Sequence, residues 1–136
     1  MFLLNKKNKF LHTLLKVNNN NYNFYKKYYN FIYALLILLN NKLSHLKLTN
    51  GELVLILKNS DNLLFVFYLL NKHYKFQFKE LVDICTVDYY VLDNNNRFEI
   101  NYLLLSVKYK IRLRIKLYTK NNMLLSSINS VYSSAL

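Results

Sequence analysis

The chain has 136 residues, 53% of them apolar and 16% aromatic, and a formal net charge of +12. That length supports one modest core, and the apolar content excludes an intrinsically disordered chain. A single Cys excludes an intrachain disulfide framework and a cysteine-based zinc site within the chain, and a single Gly excludes the glycine-rich loops that cradle nucleotide phosphates.

The charge is a weaker clue than its size suggests. Most of the sequence is Leu, Asn, Lys, Tyr, Phe and Ile, the residues of an A/T-rich genome. Lys codons are rich in A, whereas Asp and Glu codons require G, so mutation pressure alone raises the charge. Residues 76–120 stand apart, because they hold all three arginines, the only cysteine and five of the seven acidic residues. Selection for fold and contacts is therefore expected to concentrate there.

In chain order, residues 1–42 read as a helical N-terminal region. Residues 1–16 place Phe2, Leu3, Phe10, Leu11, Leu14 and Leu15 on one broad helical face. This basic start lacks the Arg and Ser of a transit peptide and fits a chain made inside an organelle. Residues 18–21 are an Asn run and read as a loop. A second helix is expected from residue 22 or 24 to 39, with Tyr28, Phe31, Ile32, Leu35, Leu36 and Leu39 at helical spacing. Asn40 and Asn41 then end it. The longest apolar run, residues 31–39, is about half the ~20 residues a membrane-spanning helix needs. A soluble or peripheral protein without a membrane span is expected.

Residues 43–120 read as an α+β core: a mixed or antiparallel β-sheet with a packed helix. Asn50-Gly51 lies between two apolar-rich runs and predicts a tight hairpin, which sets Leu48 opposite Leu53 and Leu46 opposite Leu55. Ser60-Asp61 then reads as an N-cap for a buried helix over residues 62–73, carried by Leu63, Val66, Phe67 and Leu70. The segment QFKELVDICTVDY reads as a helical turn leading into a strand over residues 82–88.

Two clear strands follow, over residues 97–107 and 111–119. Ile111, Leu113, Ile115 and Leu117 alternate with Arg112, Arg114, Lys116 and Tyr118, while Phe98, Ile100, Tyr102 and Leu104 alternate with Glu99, Asn101, Leu103 and Leu105. An even-numbered loop near Tyr109-Lys110 aligns the two apolar rows on one face. The other face then carries Glu99 and Asn101, with Leu103 and Leu105 beside Arg112 and Arg114. Being neither wholly apolar nor freely solvated, it suits a partner. Residues 121–136 read as the incomplete start of a Ser-capped C-terminal helix.

No active site is legible. His12, His45 and His73 lack metal-ligand spacing, and Cys85, between Ile84 and Thr86, reads as a buried inert thiol. Asp83 and Asp88 are expected to flank a strand or pair with Arg97, Arg112 or Arg114 in preference to acting as an acid/base pair. Two classes remain: a structural subunit that docks through the mixed face, or a basic RNA-binding protein of mitochondrial ribosomal type. For the second, Tyr118 beside Arg112, Arg114 and Lys116 is the relevant feature.

The segments FKELVDICTVDY, RFEINYLLLSVKYKIRLRIK and SINSVYSSA closely resemble consecutive blocks of the 30-kDa subunit of respiratory complex I, also called NADH dehydrogenase subunit 9. The match covers roughly half the chain. The resemblance implies a non-catalytic α+β subunit of the mitochondrial matrix arm, at the inner membrane, that binds no flavin, iron–sulfur cluster or quinone itself. It implies other complex I subunits as partners, chiefly the large 49-kDa subunit of the quinone-reducing module, and no nucleic acid. Asp83, Asp88, Arg97, Glu99, Tyr102, Ser106, Arg112 and Arg114 fall on family-pattern positions and are implied to serve fold-holding contacts and docking. Tyr90 stands where the family usually has Pro. The family's C-terminal segment beyond Leu136 is absent from this sequence. Either a second polypeptide completes a split domain or the lineage has lost or replaced the tail; the open helix start favours the split, and a chain unstable alone is expected.

Overall fold

The computed structural model describes residues 22–39, 41–49, 51–90, 97–120 and 124–135. The helix expected over residues 1–16 and the loop over 18–21 lie outside the described residues. The elements are α1 (Tyr22–Leu39), β1 (Leu43–Thr49), β2 (Glu52–Leu57), α2 (Leu63–Lys72), β3 (Glu80–Asp88), β4 (Phe98–Ser106) and β5 (Ile111–Thr119). The strands form one five-stranded sheet in the order β1-β2-β5-β4-β3. The β2–β5 pair is parallel and the other three pairs are antiparallel. This is the expected α+β class with a mixed sheet.

The helices form because their apolar residues recur at helical spacing, and they remain because that stripe has a sheet to cover. In α1, Ile32, Leu35, Leu36 and Leu39 are buried; Tyr28 departs from helical geometry (φ −109, ψ 16) and kinks the helix. In α2, Leu63, Val66, Phe67 and Leu70 are completely buried, as their spacing predicts. Beneath them lie Leu46 of β1, Leu53 and Leu55 of β2, Leu104 of β4, and Leu113, Ile115 and Leu117 of β5. Phe76 and Phe78, just after α2, are also fully buried and meet Phe31 edge-on at 5.4 and 6.0 Å. Both helices thus cover one face of the sheet.

The hairpin register is the expected one, with Leu48 opposite Leu53 and Leu46 opposite Leu55. Gly51 takes φ +77, the left-handed conformation that a tight turn between right-twisted strands requires. The second hairpin also has the expected even-numbered loop, residues 107–110, and sets Tyr102 opposite Ile115 and Leu104 opposite Leu113.

Four local expectations are corrected. The Ser60–Asn62 segment is a short 3-10 turn, and α2 is N-capped at Asn62 with no side-chain capping bond. The Asn62 side-chain oxygen instead accepts from Lys42 Nζ at 2.8 Å. Strand β3 starts at Glu80, before the expected Val82, and a non-helical turn leads into it, with Gln77 at φ 50. Cys85 is exposed, because it lies on the edge strand β3 and on the open face of the sheet, opposite Asn101. The expected C-terminal helix start is absent from residues 124–135, which form turns and a 3-10 segment, Ser133–Ala135. That segment is anchored by Tyr132, whose hydroxyl donates to Phe78 O at 2.7 Å and whose ring meets Phe67 edge-on at 5.9 Å. A packing anchor holds this tail where local helix propensity does not.

Candidate functional site

The face of the sheet opposite the helices is where the polar residues of the 76–120 stretch collect. Alternation along β4 and β5 turns Glu99, Asn101, Leu103 and Leu105 to this side, opposite Tyr118, Lys116, Arg114 and Arg112. The parallel β2–β5 pairing adds Val54 beside Arg114 and Ile56 beside Lys116. Strand β3 adds Asp83, Cys85 and Val87, opposite Leu103, Asn101 and Glu99. Val54 and Ile56 are buried although neither described helix lies over them, and Lys47, Arg114 and Lys116 line the same depression with them. Long cationic side chains commonly cover apolar surface with their methylene stems in this way. The depression encloses about 210 Å³.

Glu99 is the centre of the face. It is only 5% exposed, and its Oε1 accepts from Lys116 Nζ at 2.7 Å and from Asn101 Nδ2 at 2.9 Å. Its Oε2 accepts from the Tyr89 hydroxyl at 3.4 Å, and Tyr118 also hydrogen-bonds the carboxylate. Burial acts to raise the Glu99 pKa, but the bonds from Lys116, Asn101 and Tyr118 and the Lys116 charge outweigh it and hold the carboxyl below its ordinary value. A second pair joins Arg114 Nη2 to Glu52 Oε2 at 3.0 Å, linking β5 to β2. The buried Arg114 Nε and Asn101 Oδ1 have no hydrogen-bond partner. A buried polar atom left unpaired is costly, so this face retains an unused donor and an unused acceptor.

The predicted site residues divide among three places. Asp83, Glu99, Arg112 and Arg114 lie on this face. Arg112 is exposed and has no ion pair among the described residues. Asp88 and Arg97 form a bidentate pair at 2.8 and 2.9 Å across the β3–β4 end, with the Arg97 guanidinium over the rings of Tyr90 (4.6 Å) and Phe98 (4.7 Å). The hydrogen bond with Arg97 is the main reason Asp88 titrates below the ordinary carboxylate range. Asp83 is brought to no arginine; its Oδ1 accepts from Ile84 N at 2.8 Å. Tyr102 and Ser106 are buried on other terms. Tyr102 meets Phe67 edge-on at 5.0 Å under α2, and Ser106 closes β4 opposite Ile111 with its hydroxyl unpartnered.

Sequence reasoning missed Glu52 and Tyr89 as site residues, and raised Lys116 and Tyr118 only for RNA binding. Lys116 and Tyr118 share the alternating row of Arg112 and Arg114, so the signal for them was present. Glu52 is reached only through the parallel pairing of β2 with β5, which no local pattern encodes.

Among the described residues no group of three or more His, Cys, Asp or Glu side chains is placed to hold a metal ion. His45 Nδ1 lies 2.7 Å from Ser44 Oγ, and His73 stacks on Tyr74 at 4.8 Å. No helix of the described residues is long and apolar enough to cross a membrane. Beyond Arg112, the cationic row also lacks the free charge an RNA surface uses. Lys116 and Arg114 are each neutralised by a carboxylate, and Tyr118 is bound to Glu99.

Two tyrosines make this arrangement testable by pH. Burial, then the bond to Glu99, pushes Tyr118 up to about 12, and burial does the same for Tyr132 against an opposing bond to Asn71. An unfolded Tyr titrates near ~10. The folded state therefore holds these protons more tightly, and the associated stability is complete below pH ~10 and lost as pH rises through about 12. Tyrosinate absorbance followed against pH should show these two groups ionising late and together with unfolding. Ionisation of all tyrosines near ~10 with the fold intact would contradict the packing.

The chain is of the α+β class, with a polar face on the side of the sheet away from its described helices. Similarity to known proteins gives that class its family. The family model for the respiratory-chain NADH dehydrogenase 30-kDa subunit matches residues 56–136, and the chain belongs to that family. It is similar to NADH-ubiquinone oxidoreductase subunit 9 of Reclinomonas americana, 37% identical over 87 residues (64% of this chain, 41% of the relative). Subunit 9 of Acanthamoeba castellanii is 37% identical over 111 residues (82% and 49%). A bacterial relative, an NADH-quinone oxidoreductase subunit of Bartonella henselae, is 34% identical over 97 residues (71% and 46%). The chain thus spans less than half the length of each of these relatives.

Proposed function

We propose that this chain is a non-catalytic structural subunit of mitochondrial NADH:ubiquinone oxidoreductase. In this reading it braces the quinone-reducing module of the matrix arm by docking its open sheet face on the 49-kDa subunit. Electron transfer from NADH to ubiquinone is then supported by position alone. Family membership supplies the complex, and the observation that carries the role is the built polar face around Glu99. One side of the sheet is covered by helices, while the other holds part-buried ion pairs, unpartnered buried polar atoms and a shallow depression. A solvated surface has no need of such an arrangement, whereas a docking surface uses each part.

The test is isolation of the chain, through a tag, from mitochondria that express it, with mass spectrometry of what accompanies it. NADH dehydrogenase subunits, the 49-kDa subunit among them, are expected. Recovery with ribosomal proteins and RNA would replace this reading with the RNA-binding one.

A further inference from the structure

The other unused feature is the sheet edge at β3. Among the described residues this strand pairs only with β4, and every residue in it except Leu81 is exposed. Exposed apolar side chains lie along it: Val82 at 62%, Ile84 at 40% and Val87 at 41%. Its backbone is equally unpartnered on one side. Tyr89 N donates to Arg97 O at 2.7 Å, which fixes the phase of the antiparallel ladder. Counting back from Tyr89, Val87 and Cys85 turn their N–H and C=O groups to β4, while Asp88, Thr86 and Ile84 turn theirs outward. The Ile84 N–H agrees with that phase, since it is taken by the Asp83 carboxylate and not by β4.

We infer that β3 accepts an added strand from another polypeptide, and that the incoming segment is extended and basic. The charge pattern selects the occupant. In a chain of net charge +12, β3 carries no cation; Asp88 is paired with Arg97, while Glu80 and Asp83 have no ion pair among the described residues. A second copy fits poorly, because parallel in-register pairing sets Glu80 and Asp83 each against itself. Like charges directly opposite destabilise a strand pair. A segment with Lys or Arg turned to the open side of the sheet meets Glu80 and Asp83, which lie on that side opposite Leu105 and Leu103, with opposite charge, while its alternate side chains lie beside Ile84. Its cations also draw the Asp83 carboxylate off the Ile84 N–H and free that donor for the new ladder. In the unpartnered chain the same carboxylates and the β-bulge at Leu81/Asp83 guard the edge against indiscriminate pairing. This edge is separate from the open-face docking, and the inference stands whichever complex the chain occupies.

The test is residue-resolved amide hydrogen exchange on the native assembly isolated through this chain, for wild type and for Thr86→Pro. Thr86 N–H faces outward, so proline there removes no bond to β4 but removes one from an added strand. In wild type, the Ile84, Thr86 and Asp88 amides are expected to exchange at least about tenfold more slowly than an open edge allows. In the Thr86→Pro assembly, protection at Ile84 and Asp88 is expected to be lost while β4 and β5 amides stay protected. Should Thr86→Pro fail to fold, the Glu80→Lys/Asp83→Lys double variant serves, with the same loss expected from charge repulsion. Open-edge exchange in wild type overturns the inference. So does protection that survives the variants, or a cross-link from Cys85 to a second copy of β3.

Discussion

Replacing Glu99 by alanine is expected to remove about 3 kcal/mol of folding free energy, read as a lower urea midpoint at unchanged slope. The size follows from what remains. Lys116 keeps its charge with its side chain only 23% exposed, and Asn101, itself buried, loses the acceptor at 2.9 Å. Breaking a buried pair from one side leaves an uncompensated charge, which costs more than the pair itself contributes. The partial exposure of Lys116 is why the expectation sits at the low end of that class. Glu99→Gln should cost less, because the amide oxygen still accepts from Asn101.

The pH dependence separates charge from shape. Because the folded carboxyl titrates below its ordinary value, its contribution is complete above the unfolded value of ~4.3 and is lost as pH falls through the folded one. The gap between wild type and Glu99→Gln should therefore narrow in acid. A gap that stays constant from neutral pH down to ~3 would show that the Glu99 charge contributes nothing.

Phe67→Ala is expected to be the most damaging single change, at about 3–5 kcal/mol. Phe67 is completely buried at the junction of three segments: α2 carries it, Tyr102 of β4 lies 5.0 Å away and Tyr132 of the C-terminal turn 5.9 Å away. Its loss removes a large apolar burial and two edge-on ring contacts, and the cavity cannot close without moving the sheet or the tail. Released contacts at Tyr132 should show as faster amide exchange in residues 128–135. Phe67→Leu, which refills most of the volume, should recover more than half of the loss. Denaturation midpoints for the two variants check both statements, and an alanine variant within ~1 kcal/mol of wild type would contradict the packing described.

Much of the fold was legible because its strongest signals are local and periodic. The alternation of Ile111, Leu113, Ile115 and Leu117 against Arg112, Arg114, Lys116 and Tyr118 set one strand and both its faces. Asn50-Gly51 set a register, and the stripe in residues 63–70 set a helix. The errors arise where tertiary position overrides composition. ICT in residues 84–86 is apolar enough for a core strand, yet the sheet order leaves it on the edge, so Cys85 is exposed. Residues 124–135 carry serines suited to a helix start, but burial of Tyr132 against Phe67 and Phe78 O determines their path. The site was half visible for the same reason. Its row on β5 could be read from alternation, whereas the partners Glu52 and Tyr89 depend on which strands become neighbours.

The open sheet face is the central claim, and charge reversal at Arg112 tests it most directly. Arg112 is exposed on that face opposite Leu105, so Arg112→Glu leaves the fold intact while changing what a partner meets. Tyr68, 58% exposed on α2, gives the control Tyr68→Glu on the helix-covered side. Recovery of the 49-kDa subunit with each tagged variant, quantified by mass spectrometry, is the measurement. Arg112→Glu is expected to lower recovery at least about tenfold, the equivalent of ~1.4 kcal/mol, with Tyr68→Glu close to wild type. Unchanged recovery with Arg112→Glu and loss with Tyr68→Glu would place the interface on the helices and contradict the account.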